Sequence, residues 1–187
     1  VAQFYRYNMK KSEETVTVAE EVEMVDSYIY ILNVRFAGDI HYEKHIEESL
    51  LYTEMPGMIL QPIVENCVNH GIREMGDRGV ILLSLYEKEG RVCISVKDNG
   101  VGMSEEIIDK VMSGTYREED MASGGNGVGM DNVISRMRLF TGNENVMTVQ
   151  SRGKDMGTEV CLYLERYGQA PGSSGEASCG ASEWEER

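Results

Sequence analysis

Three short stretches of this 187-residue chain hold the residue types best suited to chemistry. The first is Gln61-Pro62-Ile63-Val64-Glu65-Asn66-Cys67-Val68-Asn69-His70-Gly71. On a helix, residues three and four apart are neighbours, so Glu65, Asn66, Asn69 and His70 group on one side. A carboxylate, two carboxamides and an imidazole held together can bind Mg²⁺ through oxygen and polarise a nucleophile; a solvated polar face has the same pattern. The second is Asp98-Asn99-Gly100-Val101-Gly102-Met103, directly after the apolar run 92–96. A carboxylate at a strand end can accept a hydrogen bond while two spaced glycines let the backbone approach a flat ligand, although Asp-Asn-Gly is also an ordinary turn. The third is Gly124-Gly125-Asn126-Gly127-Val128-Gly129-Met130, leading into a helix. Alternate glycines let successive N–H groups converge on an anion, and the helix start adds its dipole; a flexible linker would look alike. No Gly-Lys-Ser/Thr follows, so this is not a Walker loop, and the spacing of Gly125, Gly127 and Gly129 is not that of a dinucleotide fingerprint.

The elements that must position these stretches can be read from periodicity. Thr17-Val18-Ala19-Glu20 has the form of a capping box. After it Val22, Val25, Ile29, Leu32 and Phe36 mark one face of a helix of about five turns. That stripe either packs on its own domain or joins a dimeric helical bundle. A shorter helical piece is expected over Gln3 to Lys10. Ile40, Tyr42 and Ile46 fit a strand, and the helix carrying the first stretch runs from Pro56-Gly57 to Gly71. Val80 to Tyr86 and Arg91 to Val96 read as strands joined by Glu87-Lys88-Glu89-Gly90. Ser104 can cap a short helix through Val111. Residues 113–129, with five glycines, read as a mobile loop, followed by a helix from about Met130 to Phe140 and strands near 146–151 and 158–164. The stretch after Gly168 is poor in apolar residues and reads as disordered. Helices on one face of a mixed β-sheet, a two-layer α/β (α+β) sandwich, satisfy this order.

Composition excludes several classes. With 18 basic and 32 acidic residues the net charge is −14, which argues against nucleic acid as a partner. A nucleotide remains compatible where metal ions and backbone N–H groups offset the repulsion. No apolar stretch nears the roughly 20 residues of a membrane span, and the first residues lack a signal-peptide core. Cys67, Cys93, Cys161 and Cys179 show no metal-ligand spacing with one another or with His41, His45 and His70; three of the four lie in apolar segments and read as reduced, buried thiols.

Taken in order, a polar helix, an Asp-x-Gly-x-Gly after a strand and a Gly-x-Gly-x-Gly opening a helix resemble the N box and two glycine boxes of the gyrase, heat-shock chaperone, histidine kinase and MutL ATPase superfamily, which has the Bergerat-type ATP-binding fold. Gln61-Pro62-x-Val64-Glu65-Asn66, His70-Gly71, Asp98-Asn99-Gly100-x-Gly102-Met103 and Asn132-Val133-x-x-Arg136 look like the LytS/YesM-type sensor histidine kinases. Glu20-Glu21 through Tyr28 and Arg35-Phe36 resemble the segment before that family's N box. The likeness covers roughly residues 5 to 165.

The resemblance implies a domain that binds ATP with Mg²⁺. Asp98 would accept from the adenine amino group, Asn66 would ligate the metal, and Glu65 would act as general base toward an incoming imidazole. Gly100, Gly102 and Met103 would lie near base and ribose, while Gly125, Gly127, Val128, Gly129 and Met130 would wrap the phosphates. Asn69 and His70 would line the phosphate side, Thr158 would hydrogen-bond near the Asp98 contact, and Ser113 to Gly124 would form a lid. Residues 1–36 would be a helical segment leading from a phosphoacceptor helix, 37–167 the ATP-binding kinase domain and 168–187 a tail. Asn69 stands where relatives often carry a lysine. No Asn-Pro-His-Phe-like phosphoacceptor segment occurs in these residues, so the chain alone is expected to bind ATP without phosphorylating itself. The implied partners are a phosphoacceptor helical domain of the same kinase, a response regulator and a second copy in the full-length protein. The implied location is a cytoplasmic domain of a protein anchored in the bacterial plasma membrane. An anti-sigma-type serine kinase or a non-catalytic nucleotide sensor would use the same fold.

Overall fold

Alternation with a period of two runs through the strands and decides which side chains meet. In the computed structural model, which describes residues 15–35, 40–72, 78–115 and 128–165, a five-stranded sheet has the order β2-β4-β5-β7-β6. Its strands are β2 (Ile40–Ile46), β4 (Gly79–Lys88), β5 (Arg91–Asp98), β6 (Met147–Gln150) and β7 (Thr158–Glu165). β2 pairs with β4 in parallel and the other pairs are antiparallel, so the sheet is mixed, as expected. Register lines up Leu83, Val96, Val160 and Val149 in one row and Leu85, Ile94, Leu162 and Met147 in the next. All eight are buried in the main core. On the opposite face Cys93, Cys161 and Tyr163 form a second small cluster with Tyr86, and the Arg91 guanidinium stacks 4.5 Å from the Tyr163 ring.

Four α-helices are described: α1 (Val18–Arg35), α2 (Leu60–Asn66), α3 (Glu105–Ser113) and α4 (Val128–Thr141). The Thr17 box forms as read: Thr17 N–H donates to Glu20 Oε2 at 2.9 Å and Glu20 N–H to Thr17 Oγ1 at 3.3 Å. Val18, Val22, Val25 and Ile29 of α1 are buried in the same core as the sheet, so the first three turns of the stripe pack on this domain. Its last two turns carry exposed Tyr30, Ile31 and Val34. Ser104 caps α3 by accepting from Ile107 N–H, and Gly114 ends it in the left-handed conformation.

Three features differ from the reading of the sequence. The helix expected to run to Gly71 is α-helical only to Asn66, and a π-helical turn takes over from Cys67 to Ile72. The β4–β5 hairpin turns on Glu89-Gly90 alone, both with positive φ, because the strands extend to Lys88 and Arg91; that is the twist-matched two-residue turn. Finally, β1 (Thr15–Thr17) pairs with β3 (Glu54–Pro56) in a separate two-stranded sheet, too short to leave a period in the sequence. The Gln3–Lys10 helix, most of the expected lid, Gly125, Gly127 and the tail lie outside the described residues. Among the described residues no helix is long and apolar enough to cross a membrane, and Cys67, Cys93 and Cys161 are buried thiols outside any disulfide.

Candidate functional site

The sheet's own alternation aims Asp98. Ile94 and Val96 face the helical layer, so Asp98, two residues further on at the strand end, faces it too. Its cross-strand neighbours are Ile81 and Thr158. Only 5% of Asp98 is exposed, yet its carboxylate is well provided with donors. Gly100 N–H donates to Oδ1 at 2.8 Å, and a Thr158 backbone bond and the Cys67 thiol supply further hydrogen bonds. Burial outweighs those donors and holds the carboxyl above its usual range. Burial, reinforced by the neighbouring Asp98, likewise pushes the Cys67 thiol up, so it stays a protonated donor.

The π turn of the first stretch is pressed directly against this carboxylate. A Cβ on Gly71 would lie 2.8 Å from Asp98 Oδ1, and one on Gly100 would overlap the Gly71 carbonyl. Val101 N–H donates to that carbonyl at 3.0 Å. A third backbone segment closes the group: Gly157 N–H donates to Gly100 C=O at 2.9 Å, and Asp155 N–H to Val101 C=O at 2.7 Å. Gly102 approaches the Gly153 carbonyl too closely for any side chain, while Met103 N–H donates to Ser151 Oγ at 3.0 Å. Asn99 turns away and bridges to β4, accepting from Val80 N–H and donating to Arg78 C=O.

The remaining candidates lie on the helices above. Glu65, Asn66 and His70 are half-buried, Asn69 is exposed, and Ile63, Val64, Cys67 and Val68 are buried. The polar and apolar sides therefore separate as the spacing predicts, even across the change to π geometry. Gln61 orients the carboxylate by donating from Nε2 to Glu65 Oε1 at 2.8 Å. Tyr28 of α1 faces it as well: burial, then the Glu65 charge, push its phenol up to about 12. The first turn of α4 comes back to this helix, since a Cβ on Gly129 would sit 3.4 Å from Pro62 Cβ. Met130 is buried in the core and Met103 is half-buried against it. Of Val128 only the helical backbone is described.

Several residues that shape the site escaped the sequence reading of individual roles. Gly71 and Gly157 are needed where backbones touch the Asp98 turn, Cys67 donates to Asp98, and Ser151 holds Met103. Glu21 had the clearest signal: a carboxylate three residues from Val18 and four from Val25 sits on an apolar stripe. A charge there implies a buried acceptor.

Asp98 at the β5 end is thus enclosed by glycine-bearing backbone and a polar helix. The sequence profile described as histidine kinase-, DNA gyrase B- and HSP90-like ATPase matches residues 57–168, and the chain belongs to that family. A second profile, described as histidine kinase, matches residues 1–40. The chain is 28% identical to the sensor protein LytS of Oceanobacillus iheyensis over 82% of its length, and 33% identical to the sensor histidine kinase BtsS of Escherichia coli K12 over 86%. In both cases it spans 26% of the relative. Its fold is similar to that of the catalytic domain of the histidine kinase ThkA, with a TM-score of 0.60 at 16% identity, covering 81% of this chain and 94% of that one.

Proposed function

We infer that this chain is the part of a sensor histidine kinase that binds Mg²⁺-ATP and supports transfer of the γ-phosphoryl group to a histidine on another helical domain. The observation that carries the reading is Asp98, a carboxylate buried at the end of β5 and held by the Gly100 N–H. It is pre-oriented to accept a hydrogen bond from an adenine edge, with Thr158 beside it in register and Gly100 keeping the backbone low.

The residues present fit the triphosphate and its cation. Asn66 offers a carboxamide oxygen for Mg²⁺, and the ion would neutralise phosphate charge that a domain of net charge −14 repels. Asn69 supplies no cation on this side, so affinity is expected to depend strongly on Mg²⁺. Glu65, oriented by Gln61, stands ready to take up the proton of the incoming imidazole. Gly129 leaves the first turn of α4 open to a phosphate, whose charge the helix start favours. Catalysis is then positioning and charge stabilisation. The acceptor histidine, a response-regulator aspartate receiving the phosphoryl group, a homodimeric assembly and an anchor in the bacterial plasma membrane complete the reading for the full-length protein, with the present domain on the cytoplasmic side.

The test is phosphotransfer from γ-labelled ATP in the full-length protein. Glu65→Gln should lower the transfer rate about 10²–10⁴-fold, the usual worth of a general base, while Mg²⁺-ATP affinity measured calorimetrically stays within about twofold. A Glu65→Gln protein that transfers at the original rate removes the kinase reading.

A further inference from the structure

Helix α2, which carries Glu65 and Asn66, starts without a cap of its own. Its N-cap residue is Ile59, in helical geometry and with no side-chain cap, and Gly57-Met58 before it has no side-chain oxygen. The free N–H groups of a helix start need acceptors. They find them in Glu21 of α1. Glu21 Oε1 accepts from Met58 N–H at 2.6 Å, and Oε2 accepts from Ile59 and Leu60 N–H at 2.8 and 2.9 Å. Glu21 is only 1% exposed. A carboxylate so buried survives because three charge-assisted hydrogen bonds and the positive end of the helix offset its desolvation.

Met58 is gripped from the other side as well. Arg136 of α4 donates from Nη1 to its carbonyl at 3.4 Å, and the Glu21 charge partly counteracts the lowering of the Arg136 pKa by burial. Both backbone polar groups of one residue are thus held, one from α1 and one from α4. Met58 also has φ +59, the left-handed region that a side chain enters at a cost, and such a residue persists where its surroundings over-determine it.

We propose that Glu21 is a positioning residue for phosphoryl transfer: by capping α2 from α1, it sets where Glu65 and Asn66 stand relative to the nucleotide. Those residues lie about one and a half turns along the helix. Tyr28, two turns beyond Glu21 on α1, lies within the field of the Glu65 carboxylate. A change in the position of α1 therefore reaches the reacting groups through the start of α2, while Asp98 keeps its anchors on β5 and β7, the Gly100 N–H and the Thr158 backbone. The proposal rests on the reading of Glu65 as the base.

The experiment compares Glu21→Gln, Arg136→Gln, the double variant and Glu65→Gln in the full-length protein, below the melting temperature of each. Glu21→Gln keeps the size of the side chain and replaces one acceptor oxygen by a donor. It should lower the maximal transfer rate about tenfold, one lost charged hydrogen bond, while the KM for ATP stays within about twofold. Arg136→Gln should show the same split at smaller size, and the double variant should lose less than the product of the two, since both act through Met58. An unchanged rate in Glu21→Gln beside an inactive Glu65→Gln overturns the positioning role and leaves the base intact. Full activity in Glu65→Gln overturns the underlying reading. Rate and ATP affinity falling together in Glu21→Gln also overturn the proposal, because that is the signature of a loosened fold. Should Glu21→Gln not fold, an unchanged rate in Arg136→Gln overturns it equally.

Discussion

The two ends of the candidate cleft are built by different means. Around Asp98, three backbone segments touch: the π turn at Gly71, the β5 end at Gly100 and the approach to β7 at Gly157, each where a side chain would collide with main chain or the Asp98 carboxylate. Glu65 and Asn66 are half-buried on α2; Gln61 of the same helix donates to Glu65, and Glu21 of α1 caps the helix start. On the proposed reading, the end assigned to the adenine is tied to the sheet, since Gly100 and Gly157 adjoin the ends of β5 and β7. On the same reading, the chemical end depends on two other helices, since Glu21 of α1 and Arg136 of α4 both hold Met58 at the start of α2. The division, so read, separates the residues assigned to the adenine from those assigned to transfer.

The contrast can be broken at several points. Gly100→Ala forces a Cβ into the Gly71 carbonyl, and overpacking against main chain should cost about 3 kcal/mol or more, visible as a large drop in the urea midpoint together with loss of ATP binding. Asp98→Asn keeps the shape but removes the charged acceptor, worth about 1.5–3 kcal/mol, so calorimetry should show ATP affinity roughly ten- to a hundredfold weaker with transfer chemistry otherwise intact.

Acidity sharpens the same point. The folded Asp98 carboxyl titrates above the unfolded value of about 3.9. The folded state therefore holds an extra proton between the two values, and the stability this contributes is full below the unfolded pKa and is lost as pH rises through the folded one. ATP binding has the opposite sign, since the adenine amino group needs the ionised form. Affinity should fall on acidification earlier than for an ordinary carboxylate, and Asp98→Asn should abolish that limb in a titration series. The smallest effect belongs to the other end. Gly129→Ala meets Pro62 Cβ at an ordinary distance, and alanine favours a helix, so thermal stability should stay within about 0.5–1 kcal/mol of the parent or rise. A loss as large as that of Gly100→Ala would erase the distinction between the two ends.

The placement of many candidate residues was legible because it is bound to local patterns. Asp98 follows a strand, Ser104 and Thr17 are caps, and Glu65 and Asn66 share a polar helix face; each depends on neighbours within a turn or a pleat. The missing parts depend on partners far along the chain. The place of Glu21 on an apolar stripe marks a buried acceptor, but nothing nearby announces that it caps a helix beginning almost forty positions later. Likewise Gly71 is legible as the end of a motif, but its lack of a side chain matters only because Asp98 arrives beneath it.

From the sequence alone came the period of each element, the caps, the mixed two-layer architecture and the family, because local propensity and side-chain spacing are written in consecutive residues. Tertiary structure decided that α1 packs on the sheet, that the N-box helix slips into π geometry over Asp98, and that Glu21 and Arg136 meet at Met58. Those are outcomes of packing, where a buried charge or an uncapped helix end must find a partner in three dimensions, and no period in the chain records which one it finds.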